Sequence, residues 1–312
     1  MQVADRCLIC RADSLQRYRA MFAPFVASRI WGRPSIAIRL MKCRQCDFMF
    51  SDSRFDPDEE RRLYDGYRGR DYQALREKYE PWYTAEFNAR LSTGTMEKRR
   101  APLAEIFREH LPSGIKSVLD FGGDRGDLFD GLLPGAQTFV YDISGVEPAP
   151  GVKVLHTVDE CTQVGFDLVG CSNVLEHVAY PRNLASDLHR IASPSTLVFV
   201  EVPSENPMGM RTYAKRAVQE MWLLFRRPTT AASMLPFRFL RQVHEHINFF
   251  SMRALEALMQ SSGFAVLASG QYPGEGCSFG PYKIAAGNVV WCLAKKGPDQ
   301  NIGIAQNGGT SV

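Results

Sequence analysis

Two clusters of residues in this chain have the type and spacing to do chemistry. The first is Cys7-Leu8-Ile9-Cys10 with Cys43-Arg44-Gln45-Cys46, two C-x2-C pairs separated by 32 residues. Each pair can present two thiolates through a tight turn, and two such turns fill a tetrahedral Zn2+ site with no open position for catalysis. Four thiolates leave such a site with a net charge of about −2. Residues 1–54 carry ten Arg/Lys against four Asp/Glu, a formal +6 that can offset it. Unmetallated thiols are the alternative reading. Cys161, Cys171, Cys277 and Cys292 lie scattered in apolar runs and read as small core residues.

The second cluster is Val243-His244-Glu245-His246-Ile247-Asn248-Phe249-Phe250-Ser251. A metalloprotease-type helix needs two histidines four apart, whereas His244 and His246 are two apart. In extended backbone these two share a face and Glu245 points the other way. No nearby cysteine or acid completes a metal site, so the stretch reads either as acid–base chemistry or as side chains that pin the turn before Ser251. That serine is a good N-cap for SMRALEALMQSSGF, whose apolar spacing is helical and ends at Gly263.

Between these clusters lie loops suited to a nucleotide. Val118–Leu128 reads VLDFGGDRGDL, a strand running into a glycine-rich turn where a ligand can approach backbone amides. The next strand ends in Tyr141-Asp142-Ile143-Ser144, where a carboxylate can accept both hydroxyls of a ribose. The elements around them are short β-rich runs (SVLD, TFVYD, VKVLHTV, FDLVGC, TLVFVEV) alternating with helical ones such as PRNLASDLHRIA. FAVLASGQY and NVVWCLAKK close the series as an antiparallel end. This alternation predicts an α/β fold, a doubly wound, mainly parallel seven-stranded sheet with ligands beyond the carboxyl ends of its strands.

The predicted organisation is a zinc-binding module over 1–54, a helical connector over 55–112, an α/β domain over 113–296 and a disordered tail over 297–312. Tyr64, Tyr67, Tyr72, Tyr79 and Tyr83 recur in the connector as packing residues. A lid-like insertion spans 204–243. Residues 205–243 carry seven Arg/Lys against Glu205 and Glu220, and with Trp222, Phe225, Phe237 and Phe239 they suit an anionic, partly apolar ligand. A solvated helical cap, or a peripheral membrane contact through AVQEMWLLFRRP, are the competing readings.

Composition sets the outer bounds. The 312 residues are 45% hydrophobic and 23% charged, ordinary for a globular protein. No run of about 18 uncharged apolar residues predicts a membrane span. The first residues lack the apolar stretch of a signal peptide, so a cytoplasmic location is expected. A net charge of +3 is too weak to argue for nucleic acid.

VLDFGGDRGDL, YDIS and FDLVGCSNVLEHV together resemble motifs of class I S-adenosylmethionine-dependent methyltransferases, over roughly 113–296. The resemblance implies that S-adenosylmethionine meets Asp120, Gly122 and Gly123 at its methionine end and Gly126 at the turn. It places Asp142 and Ile143 at the ribose, and Asn173 and Leu175 beside the sulfonium. Asp159 or Glu160 lies near the adenine, and His177 is a routine part of its motif. Asp124 stands where the family pattern has its middle glycine. HEHINFFS, with the cysteine module, is similar to a segment of zinc-module sugar C-methyltransferases. That resemblance implies proton abstraction by His246 and Glu245, with His244 beside them, and a sugar or nucleotide-linked sugar as substrate. A His oriented by a Glu is a base with a pKa near working pH. Val243 stands where that group has tyrosine, and its additional C-terminal domain has no counterpart here. A zinc-finger RNA methyltransferase and a non-catalytic scaffold in a biosynthetic complex are the rival functions.

Overall fold

The computed structural model of the chain describes residues 2–66, 69–86, 96–233, 241–274, 277–279, 282–284 and 287–297. Tyr67, Phe237, Phe239, the tail from 298 onward and the side chain of Cys277 lie outside the described residues.

The predicted parallel sheet is present. Its strands are β4 (Ser117–Phe121), β5 (Gln137–Tyr141), β6 (Lys153–Leu155), β7 (Leu168–Ser172), β8 (Leu197–Ser204), β11 (Phe264–Pro273) and β12 (Asn288–Lys296). They run in the order β11-β12-β8-β7-β4-β5-β6, a seven-stranded sheet. β4 to β8 pair in parallel, and β12 joins antiparallel to both β8 and β11. The chain moves outward from β4 through β5 to β6, then returns to β7 on the other side of β4. That reversal leaves a crevice beyond the ends of β4 and β7, where open α/β sheets bind ligands. VLDFGG and SNVLEH both emerge there.

A second, five-stranded sheet has the order β9-β1-β2-β3-β10. Three of its strands are N-terminal: β1 (Leu15–Phe22), β2 (Ala37–Cys43) and β3 (Met49–Ser51). The edges come from the far end of the chain. β9 (Arg241–Val243) lies parallel to β1, and β10 (Asn248–Phe249) lies antiparallel to β3. The HEHI segment between these edges therefore bridges across the N-terminal sheet.

Helices α1 (Pro24–Trp31), α2 (Pro57–Tyr64) and α3 (Arg70–Tyr79) cover that sheet. Phe22, Phe25, Leu63, Tyr72, Val243 and Ile247 form the core between them. α2 begins in a capping box: Asp56 accepts from the Glu59 amide, and Glu59 accepts from the Asp56 amide. On the large sheet, α4 (Met96–His110) packs Phe107 against Phe129 and Phe199 on one face. The helices α6 (Pro181–Ile191) and α9 (Met252–Ser261) lie on the other. α5 (Val158–Gln163) precedes α6 in sequence, and α7 (Met210–Arg226) and α8 (Pro228–Ser233) lie between α6 and α9. Ser251 caps α9 by accepting from the Ala254 amide, as its sequence predicts.

One polar contact set ties the sheets together. Asn248 donates to the carbonyls of Leu175 at 2.8 Å and Val178 at 2.7 Å, and accepts from Arg54 at 2.9 Å. Arg54, fully buried, also donates to Ser51 O. The Ile247 and Asn248 amides both donate to Glu176 O. Removing a partner from buried groups of this kind costs about 1–3 kcal/mol per group left unsatisfied. Asn248→Ala is expected to lower stability by about 2–4 kcal/mol, read from urea unfolding. A loss below about 1 kcal/mol would mean that water replaces the amide and the clamp is not structural.

Candidate functional site

β4 delivers Asp120 to the crevice, and the chain turns at once. Gly122 has φ +73°, and a Cβ on Gly123 would sit 2.0 Å from Asp120 Cγ, so the backbone passes directly over the carboxylate. Both Asp120 oxygens are buried and have no hydrogen-bond partner among the described residues. Burial lifts this carboxyl to about 7, partly offset by Arg99. A carboxylate in that state calls for a cationic donor from a ligand.

Asp124, at the position of the family's middle glycine, adopts φ 55°. That left-handed conformation explains a glycine preference there, and aspartate tolerates it better than most residues. Its side chain is exposed. Its amide donates to Asp142 at 2.9 Å, and Asp142 also accepts from Ser144 N at 2.7 Å. The Asp142 carboxylate thus orders both loops. Ile143 beside it is 82% exposed, and Leu175 is buried in the core. Gly126 (φ 72°) packs against Val140 and Val152. Asn173 sits at the crevice in a left-handed conformation, φ 56°, with Oδ1 buried and unpartnered among the described residues. Asp159 pairs with Arg190 at 2.7 Å, and Glu160 accepts from His156 N.

The histidines separate. A bend at Glu245 breaks the alternation expected of extended backbone. His244 pairs with Glu80 at 3.0 Å. Glu245 accepts from Arg76 at 2.8 Å and from the Tyr72 hydroxyl, and Arg76 also holds Glu80 at 2.9 Å. Burial opposes ionisation of Glu245, yet Arg76 and Tyr72 hold it below its usual range. His244 borders only a cavity of about 40 Å³, room for a few waters, lined by Tyr79, Glu80 and Trp82. Glu245 is therefore part of a buried ionic network, and His246 does not pair with it.

The partner of His246 is Glu205, 2.9 Å from Nδ1. Its ring stands edge-on to His177 at 4.7 Å. His177 Nδ1 meets the Tyr64 hydroxyl at 3.1 Å and Glu245 O at 3.3 Å. Glu176, 1% exposed, completes the group, and one oxygen or nitrogen from each of Glu176, His177 and His246 lies within 4.8 Å of the others. Burial raises the Glu176 carboxyl to about 7 and lowers the His177 imidazole to about 3. Burial also opposes charge on His246, but Glu205 and Glu176 outweigh it and raise that group to about 9.

Sequence reasoning missed a third group. Glu201, fully buried in β8, accepts from Ser172 and from Tyr272 at 2.6 Å, and Arg99 reaches both Ser172 and Glu201. A lone carboxylate inside VFVEV was the available signal. Its partner lies on α4, 102 residues away, where no spacing rule could find it.

The cysteine cluster is assembled as the C-x2-C spacing predicts. Cys7 and Cys46 sulfurs lie 3.5 Å apart, as do those of Cys10 and Cys43. A tetrahedral Zn2+ with bonds of 2.3 Å spaces its sulfurs by roughly 3.8 Å, so the four positions fit an ion with little movement. Arg182 of α6 donates to Ile9 O at 2.7 Å and feels the charge of Cys7 and Cys10.

Comparison with known proteins agrees with this architecture. Residues 84–269 match the family described as "Methyltransferase domain". The chain belongs to that family, and its sheet is the Rossmann-like sheet of methyltransferases. Ubiquinone biosynthesis O-methyltransferase of Azotobacter vinelandii (strain DJ / ATCC BAA-1303) is 26% identical over 194 residues, covering 54% of this chain and 76% of the relative. The enzyme of the same name from Azoarcus sp. (strain BH72) is 26% identical over 170 residues, covering 49% of this chain and 66% of the relative. Among solved structures, Burkholderia thailandensis 1,6-didemethyltoxoflavin-N1-methyltransferase with S-adenosylhomocysteine has a TM-score of 0.42 and 18% identity, covering 69% of this chain and 87% of that one. Magnesium protoporphyrin IX methyltransferase from Synechocystis PCC 6803 has a TM-score of 0.42 and 15% identity, covering 76% and 99%. Among the described residues no helix is long and apolar enough to cross a membrane.

The close approach at Gly123 gives a direct test. Gly123→Ala is expected to weaken S-adenosylhomocysteine binding at least tenfold, about 1.4 kcal/mol, because loop and carboxylate must part. Unchanged affinity by calorimetry would place the ligand elsewhere.

Proposed function

We propose that the protein transfers a methyl group from S-adenosylmethionine to a hydroxyl of a small molecule. The observation that carries the reading is Asp120: a fully buried carboxylate without a partner, under a glycine turn, at the switch point of a methyltransferase sheet. When bound, the cofactor supplies an electrophilic methyl group on a sulfonium centre. Asp120 would accept from its ammonium group, and the Gly122–Gly123 turn leaves room for its methionine end. Asp142 would take the ribose hydroxyls, and the exposed Ile143 would be covered by the nucleoside. Asn173 holds the backbone beside the reacting carbon.

The cluster of Glu176, His177, His246 and Glu205 is the proton-removing end of the site. Nδ1 of His246 is committed to Glu205, so Nε2 would be the ring nitrogen that serves the acceptor. Glu245, His244 and Arg76 position this segment and do not touch substrate. The four-cysteine cluster holds a structural Zn2+ that fixes the knuckles against the large sheet.

Oxygen as acceptor is supported by the two relatives, both of which are O-methyltransferases. A sugar or nucleotide-linked sugar is the class suggested by HEHINFFS and by the basic insertion, and a phenol is the class suggested by the relatives. Turnover of one set and not the other decides between them.

Asp120 sets a pH dependence. Its carboxyl titrates at about 7 without ligand, so the ionised form that a bound ammonium group needs is lost below that value. Affinity for S-adenosylhomocysteine is expected to rise as pH goes from 6 to 8, and Asp120→Asn should flatten the curve. A flat curve in the unsubstituted protein removes Asp120 from the cofactor site. His246→Ala should reduce kcat about 100-fold while leaving S-adenosylhomocysteine affinity within about twofold. Full turnover in that variant would end the assignment.

A further inference from the structure

We propose that Glu176, His177 and His246 form a divalent transition-metal site, distinct from the cysteine cluster, at the acceptor end of the crevice. The donor atoms of these residues already lie within 4.8 Å of one another, and His177 Nε2 is 3.8 Å from Glu176 Oε1. A metal held at about 2.0–2.2 Å from nitrogen and oxygen ligands brings such atoms to roughly 3–3.5 Å, a contraction of under about 1 Å for the Glu176–His177 pair and of no more than about 1.8 Å for the others.

Three features separate this group from an accidental cluster. First, Glu176 Oε2 is buried with no hydrogen-bond partner among the described residues, on a side chain only 2% exposed. A carboxylate oxygen in that position needs a cation or a donor.

Second, both imidazoles are held as metal-bound imidazoles are held. Ligating histidines almost always donate their other ring N–H to a carboxylate or a carbonyl, which fixes the tautomer. His246 Nδ1 meets the Glu205 carboxylate. His177 Nδ1 meets the Glu245 carbonyl and the Tyr64 hydroxyl, and one tautomer, with Nδ1–H donating, satisfies both. Each ring thus has Nε2 left over.

Third, the backbone fixes the spacing. The Ile247 and Asn248 amides bond Glu176 O, so the two ligand-bearing loops cannot drift apart.

Two imidazoles and one carboxylate select Zn2+, Fe2+, Co2+ or Ni2+ over Mg2+. They leave coordination positions open, unlike the four thiolates. An acceptor hydroxyl at one of those positions would lose its proton more readily on the ion, and His246, as its ligand, would then serve by holding the ion in place of taking the proton itself. That last role rests on the methyl-transfer reading above; the binding of the ion does not.

Co2+ titration of the metal-depleted full-length chain tests the proposal. We expect two equivalents per chain, one with thiolate-to-metal charge-transfer absorption and one without. Glu176→Gln and His246→Ala should each abolish the second equivalent and keep the first. Glu205→Gln, which removes only a hydrogen-bond partner of the ligand, should weaken the second site about tenfold or more. Thermal unfolding of each variant checks that the chain remains folded. A single equivalent in the unsubstituted protein, or a second one that survives both ligand variants, overturns the site. Titration with S-adenosylhomocysteine on the same samples keeps the two readings apart. Two ions without cofactor binding would sink methyl transfer and leave the metal site standing, and cofactor binding with one ion would do the reverse.

Discussion

Most of this structure depends on one buried clamp. Asn248 spends its side-chain amide on two carbonyls of the loop after β7, and its oxygen on Arg54 from the N-terminal sheet. Asn248, Arg54 and Leu175 are buried and Val178 is partly buried, so most of these groups have no water to turn to if the clamp opens. Burial lowers the Arg54 guanidinium to about 9, which is the cost of placing a cation there. The result is that three chain segments far apart in sequence share one rigid junction. The loops that carry Glu176, His177 and His246 hang from it.

The same junction explains why two ionic groups can sit so close without mixing. Arg76 faces Glu80 and Glu245, with Tyr72 closing the set. A buried cation with two carboxylates around it is weak evidence for stability but strong evidence for a fixed geometry. It locks Glu245 on the α3 side. His246, one residue on, is free to face the crevice with Glu205. The bend at Glu245 is the mechanical device, and the electrostatics on either side keep it bent. His177, stacked edge-on between Tyr64 and His246, then links the connector helix α2 to the cluster.

The cysteine cluster belongs to this scheme through packing rather than chemistry. Cys7, Ile9, Cys43, Cys46 and Phe48 are part of the same continuous core as Leu119, Val169, Leu184 and Leu258 of the large sheet and its helices. Whatever fixes the knuckles also fixes one face of the α/β sheet. Phe250, directly after the HEHINF segment, packs on Phe48 at 4.8 Å and carries that constraint toward the site. A scaffold role for the N-terminal segment is thus a consequence of shared core, with no need for a separate binding surface.

Sequence by itself determined the parts of this protein governed by short-range rules. Strand runs, the N-cap at Ser251 and the paired C-x2-C turns each depend on a handful of neighbouring residues, and each is where the pattern put it. The glycine turn after Asp120 was legible for the same reason: only a particular backbone permits so close an approach. Tertiary structure alone decided which charges meet. The resemblance to sugar C-methyltransferases paired Glu245 with His246, whereas in the fold a bend and the cation of Arg76, 169 residues away, hold Glu245 in a different ionic group. Glu205 and Glu176 took Glu245's place from other strands' ends, and Arg99 found Glu201 across 102 residues. Backbone preferences are set locally, whereas a buried charge is settled by whichever opposite charge the fold brings within reach, and that distance is not written along the chain.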